Sequence, residues 1–81
     1  MEKFFQKAQF SGQPIMIMYL SQKGMVTKRL VSVEHINGDS ILGFCHLRKA
    51  KRRFLLDNIL AALPPTSIEI KEYMNVVTKS I

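Results

Sequence analysis

The chain has 81 residues, 47% of them hydrophobic, and its 12 Lys/Arg against 6 Asp/Glu leave a formal charge of +6. That length allows one core and no more, with about 60% of the unfolded chain's surface buried on folding. Its longest apolar stretch, Pro14 to Leu20, falls far short of the roughly 20 residues that a membrane-spanning helix needs, and the lone Cys45 excludes an intrachain disulfide.

The N-terminus, MEKFFQKAQF, alternates charged and aromatic residues and lacks the continuous apolar core of a signal peptide. A cytoplasmic protein with no membrane association is expected. Residues 2–11 read as a short amphipathic helix: Phe4, Phe5 and Ala8 share a face at helical spacing, and Gly12 and Pro14 stop it. From Ile15 the period becomes that of a strand. Ile15, Ile17 and Tyr19 lie on one side and Met16, Met18 and Leu20 on the other, so both faces need cover. The sheet interior is expected to cover one and the N-terminal helix the other.

Ser21 to Gly24 reads as a turn and Val26 to Ile36 as a longer, more polar strand. Asn37-Gly38, between two β-rich runs, predicts a tight hairpin turn with positive φ. Ser40 to Leu47 returns, Arg48-Lys49-Ala50 forms a basic turn, and Lys51 to Leu56 makes another strand. Asp57 can cap a single helical turn, and Leu60 to Leu63 supplies a last strand before Pro64-Pro65. Thr66-Ser67-Ile68-Glu69 is a capping-box pattern; with Ile70, Tyr73, Met74 and Val77 at helical spacing, it predicts a tail helix over 67–79.

The expected architecture is therefore mainly β, in a single domain spanning residues 1–81. A five-stranded antiparallel barrel, closed or nearly closed, occupies 15–63, with a helix at each end of the chain.

Positive charge is unevenly placed. Arg48, Lys49, Lys51, Arg52 and Arg53 fall together, and Lys23, Lys28 and Arg29 form a second group. Such clusters suit nucleic acid, nucleotides or an acidic membrane surface, the competing reading being a solvated face that serves only solubility.

Around Arg52 a wider pattern emerges. RRFLLDNI resembles the R-x-F-R-L-D-R-I segment of WYL domains, the Sm-like (SH3-like) barrels of many bacterial transcription regulators. IMIMYLSQKGMVTKRLV is similar to their opening strand pair, and SILGFCH falls where they carry W-Y-L-x-A-Y-C. The resemblance covers Phe4 to Leu63, with Phe54, Leu56, Asp57 and Ile59 in the expected order. The naming tripeptide is here Ser40-Ile41-Leu42, the segment's second and third arginines are replaced by Leu55 and Asn58, and Val33 stands in place of a proline. With no helix-turn-helix ahead of Phe4, a stand-alone domain is expected. The resemblance implies a ligand-sensing module in which basic residues bind nucleic acid or nucleotide-like ligands; Arg29 and Arg52 stand at matching arginine positions.

Alternation puts Arg52 with Phe54 on one face and Arg53 with Leu55 on the other. Arg52, near the barrel rim and beside Arg48 and Lys49, can hold a phosphate through bidentate bonds; alternatively it pairs with Asp57 or Glu34 and only holds the turn. Arg29 is expected to approach Arg52 from the neighbouring strand, with Lys51 and Arg53 on the opposite face. Tyr19 and Phe44 are candidate platforms for stacking bases, although aromatics at strand spacing are more often core.

Cys45 and His46 point to opposite faces and cannot work as a pair. No C-x-x-C or H-x-x-x-H spacing suggests a metal, the glycines are scattered singly, and the six acids form no convincing pair. No metal, cofactor or catalytic residue is expected, and the chain reads as a non-enzyme. The sequence thus favours a binding module for single-stranded nucleic acid or a nucleotide, serving a regulatory accessory role. Its alternative is a protein-interaction module that forms a homodimer or docks onto a larger regulator.

Overall fold

The structure, a computed structural model, describes residues 2–74, with side chains to residue 72. Residues 75–79 of the expected tail helix lie outside the described residues. The elements run α1 (Glu2–Ser11), β1 (Ile15–Leu20), β2 (Val26–Asn37), β3 (Ser40–Cys45), β4 (Ala50–Leu55), a 3₁₀ turn (Leu56–Asn58), β5 (Ile59–Leu63) and α2 (Ser67–Met74). α1 ends because Gly12 takes the left-handed conformation, φ 75°, and donates its N–H to the Ala8 carbonyl at 3.0 Å. α2 starts on the expected capping box. The Thr66 hydroxyl accepts the Glu69 N–H at 3.1 Å, and the Glu69 carboxylate accepts the Thr66 N–H at 2.9 Å.

The five strands form one antiparallel sheet in the order β4-β3-β2-β1-β5. β4 and β5 are its edges, so the barrel remains open along one seam. The short 3₁₀ turn between them is not a hairpin, and β5 passes on to pair with β1 instead of folding back on β4. The sheet is nonetheless strongly curled. Two strands separate β1 from β4, which in a flat sheet would be about 14 Å apart, too far for a tyrosine hydroxyl to cover. Yet the Tyr19 hydroxyl accepts the Leu55 N–H at 3.1 Å, and the Tyr19 and Phe54 ring centroids lie 5.0 Å apart.

Strand alternation fills the concave side. Ile15 and Ile17 of β1, Val31 and Val33 of β2, Ile41 and Cys45 of β3, Phe54 of β4 and Ile59 of β5 form one buried cluster with Phe5 and Ala8 of α1. The helix thus joins the same interior as Ile15 and Ile17, instead of covering the Met16 face as alternation alone suggested. Phe5 and Ala8 are buried in that cluster and Phe4 packs against it, so the helix's apolar face is satisfied there. A bulge in β2 between Val33 and His35 shifts the parity, so that Ile36, opposite Ile41, faces the cluster.

The hairpin falls where expected, but its geometry differs. Asn37 and Ser40 are the last pair, the turn residues are Gly38 and Asp39, and Gly38 does not take positive φ. A turn without positive φ is poorly matched to strand twist. Here the bulge supplies added twist, and the Leu56 N–H anchors the turn by donating to the Asp39 carbonyl at 2.9 Å. β3 also stops earlier than expected, at Cys45, because the Lys49 N–H closes back on the Cys45 carbonyl at 2.8 Å with Lys49 itself at φ 58°.

Gly43 permits the curl. A Cβ there would lie 2.6 Å from the Ser32 carbonyl oxygen and 2.7 Å from Val31 Cγ1. One of those neighbours is backbone and cannot swing aside. Gly43→Ala is expected to lower stability by about 1–3 kcal/mol, measured as a shift of the urea midpoint with an unchanged slope.

Candidate anion-binding cleft

The strand parity that aims Val31 and Val33 into the interior aims Arg29 the same way. Arg29 is 8% exposed, deeper than a lone cation normally goes. Its Nε donates to the Thr27 hydroxyl at 3.2 Å and its Nη1 to the Cys45 sulfur at 3.7 Å. No carboxylate pairs with it among the described residues. No fully buried side-chain nitrogen or oxygen lacks a partner among those residues, so the rest of the guanidinium opens onto accessible space.

That space is a cleft of about 570 Å³, within the range of roughly 300–1,000 Å³ usual for small-molecule sites. One wall is the end of β1 and the loop after it, Tyr19 to Lys23; the other is β4 with the turn before it, Arg48 and Arg52 to Leu55; Arg29 and Asn58 complete the lining. It lies between β1 and β4, two strands that do not pair with each other. None of its described lining residues is a carboxylate.

The expected cations separate into two groups. Arg29, Arg48, Arg52 and Arg53 line the cleft; Lys49 and Lys51 do not. Lys51 pairs with Glu34 at 3.4 Å, and Arg53 donates to the Ser40 hydroxyl at 3.1 Å and lies 3.7 Å from the Asp39 carboxylate. Arg52, Arg48 and Lys23 have no ion pair among the described residues. The alternative that Arg52 merely holds the turn through Glu34 or Asp57 is therefore not the arrangement found, since Lys51 occupies Glu34. Lys23 and Asn58 were not singled out from the sequence as site residues. Lys23 could have been found from its place beside Arg29 in the second basic group, and Asn58 from its position in RRFLLDNI. Leu55 and Asn58, which replace two arginines of the WYL pattern, both line this cleft.

The two candidate stacking rings fare differently. Tyr19 lines the cleft, but its ring stands edge-on to Phe54 at 82° and its hydroxyl is held by the Leu55 N–H. It is a fixed wall. Phe44 lies outside the cleft, on the opposite strand face, with its ring against that of His46 at 5.0 Å.

Cys45 is a buried free thiol in contact with Arg29, while the His46 Nε2 lies 2.8 Å from the Ser32 hydroxyl. The two neighbours serve different surroundings, as alternation requires. Among the described residues no three His, Cys, Asp or Glu side chains converge as metal ligands. Burial, and secondarily the positive charge of Lys49, hold the His46 pKa below its ordinary value of 6.5. As the pH falls through that value the unfolded chain takes up this proton more readily than the folded one. Stability is thus full above it and declines below it, and His46→Gln is expected to lose less stability than the wild type between pH 7 and pH 5 in parallel urea titrations.

No protein-family model matches the chain, and no curated protein matches it. Among solved structures it is similar to proteasome accessory factor B/C of Arthrobacter aurescens, with a TM-score of 0.65 and 24% sequence identity over 78% of this chain. The match covers 11% of that protein's length. At this identity the likeness establishes a shared fold over the matched part of the chain, which corresponds to a small part of a much larger protein.

Proposed function

We propose that the chain is a WYL-like, non-catalytic binding module, folded as one domain, whose cleft holds single-stranded nucleic acid or a nucleotide. The observation that carries this reading is Arg29, nearly buried and without a carboxylate partner among the described residues, facing a cleft shared with Arg48, Arg52 and Lys23. Removing a cation from water without a counter-charge is costly, and a bound phosphate would supply that charge with matching bidentate geometry. The resemblance around RRFLLDNI and the shared fold support the same reading and an accessory role in regulation. Among the described residues no helix is long and apolar enough to cross a membrane; a cytoplasmic location is part of the proposal.

Fluorescence titration with single-stranded DNA and RNA at several salt concentrations tests it. Each phosphate contact on a single strand contributes about 0.7 to the log–log salt slope. Replacing both Arg48 and Arg52 with glutamine is expected to weaken binding regardless of base sequence and to flatten the slope by about 1.4 units. Lys51→Gln, outside the cleft, should change little. Each surface replacement should alter stability by no more than about 0.5 kcal/mol. Absence of salt-sensitive binding by the wild type would reduce the basic cluster to a solvated face.

A second reading then takes precedence, a protein-docking or dimerisation module. Its support is the edge strand β5, where Leu60 and Leu63 are 53% and 55% exposed. Sedimentation of the wild type against Leu60→Lys would expose a dimer built on that edge.

A further inference from the structure

We infer that the cleft recognises the terminal phosphate monoester of a nucleotide or strand end, in preference to the interior of a strand. This rests on the anion-binding reading and adds a substrate class to it.

Three observations converge. The first is charge. Arg29, Arg48, Arg52 and Lys23 line the cleft without ion pairs among the described residues, and no described lining residue is a carboxylate. An internal phosphodiester brings one negative charge, whereas a terminal monoester carries about −1.5 to −2 at neutral pH and three acceptor oxygens. The second is depth. Arg29 is 8% exposed, with Nε and Nη1 already committed to Thr27 and Cys45, so a ligand must enter to meet the remaining N–H groups. A chain end can enter alone; an internal phosphate brings a sugar on each side.

The third is the shortage of stacking surface. Proteins that track along a strand use successive aromatic platforms. Here Tyr19 is held edge-on to Phe54 and tied to the Leu55 N–H, and Phe44 lies outside the cleft. Dense charge without a row of free rings suits an end group better than a run of bases.

The test uses the intact protein and a short single-stranded oligonucleotide in four forms: 5′-phosphorylated, 3′-phosphorylated, unphosphorylated and circular. One or both phosphorylated ends are expected to bind at least about tenfold tighter than the unphosphorylated and circular forms, the scale of charged hydrogen bonds. A nucleoside 5′-monophosphate should displace the bound strand where the nucleoside does not. Displacement at concentrations similar to those of the phosphorylated strand identifies a free nucleotide as sufficient ligand, and a requirement for far more identifies the strand end; both uphold the inference. Arg29→Lys keeps the charge but loses the fork, and should bring the preference for a phosphorylated end to within about threefold of unity. If circular dichroism finds that variant unfolded, Arg52→Lys takes its place. Equal affinity for circular and phosphorylated forms, or a preference unchanged in the folded lysine variant, overturns the inference and leaves general anion binding standing. No binding of any form or of the nucleotide removes both.

Discussion

Replacing Arg29 with methionine should make the protein more stable while depriving it of its anion. Arg29 is nearly buried, donates side-chain hydrogen bonds only to a hydroxyl and a thiol, and has no carboxylate partner among the described residues. Its burial withdraws a charge from water for a weak return. It also shares the cleft with Arg48, Arg52 and Lys23, so their repulsion adds to the cost. Methionine adapts well to an irregular apolar site, and replacing buried charges with hydrophobic side chains is often stabilising by about 1–4 kcal/mol. A gain of about 1 kcal/mol would raise the melting temperature by roughly 4–8 °C in a domain of this size. Affinity for a phosphate ligand should fall about 10- to 100-fold, as expected when a charged hydrogen bond of about 1.5–3 kcal/mol is lost. Thermal melts and titrations of the same preparation give both values. A loss of stability in this variant would mean that Arg29 supports the sheet and is not held there for a ligand.

Phe54→Ala should cost about 3–5 kcal/mol, the range for truncating a buried phenylalanine. Phe54 is 1% exposed, belongs to the main buried cluster and meets Tyr19 edge to face at 5.0 Å. That contact joins β4 to β1, which no strand pairing connects directly. Alanine would leave a cavity in the cluster and remove the support for the Tyr19 wall. At the usual 0.05–0.15 kcal/mol per residue, a chain of 81 residues has on the order of 4–12 kcal/mol in total. The variant would therefore be close to unfolded at the low end of that range and would keep more than half of its stability at the high end. Urea denaturation followed by far-UV circular dichroism measures the loss, and Phe54→Leu, which leaves a smaller void, should lose distinctly less. A loss below about 1 kcal/mol for the alanine variant would show that β4 is held against β1 by other contacts.

Local chemistry made most of the fold legible. Alternation in IMIMYL, the position of Asn37-Gly38, the Pro64-Pro65 break and the Thr66 capping box each depend on a few neighbouring residues. The corresponding elements appear in the expected order. Features depending on more than one strand were less accessible. The β2 bulge, the ordinary φ at Gly38 and the placement of α1 in the same interior as Ile17 follow from fitting curved surfaces together. Gly43 illustrates the difference: in sequence it is one glycine among four, and only the approach of the Ser32 carbonyl explains it.

The candidate site divides along the same line. Composition and clustering made an anionic partner the leading expectation, and alternation put Arg52 and Phe54 on one face. Which cations would find carboxylates depended on distances across strands. Lys51 meets Glu34 and Arg53 meets Asp39, while Arg29, Arg48 and Arg52 stay unpaired among the described residues. The sequence by itself determined the strand order along the chain, the charge and the shared facing of Arg52 and Phe54, because these depend on residue type and a period of two. Arg53, expected on the face opposite Arg52, nonetheless lines the same cleft. Only the tertiary structure decided that the sheet curls without closing and that Arg29 shares one cleft with Arg52 and Tyr19. Those relations arise between residues distant in sequence, through the geometry of a turn and the absence of a side chain at Gly43.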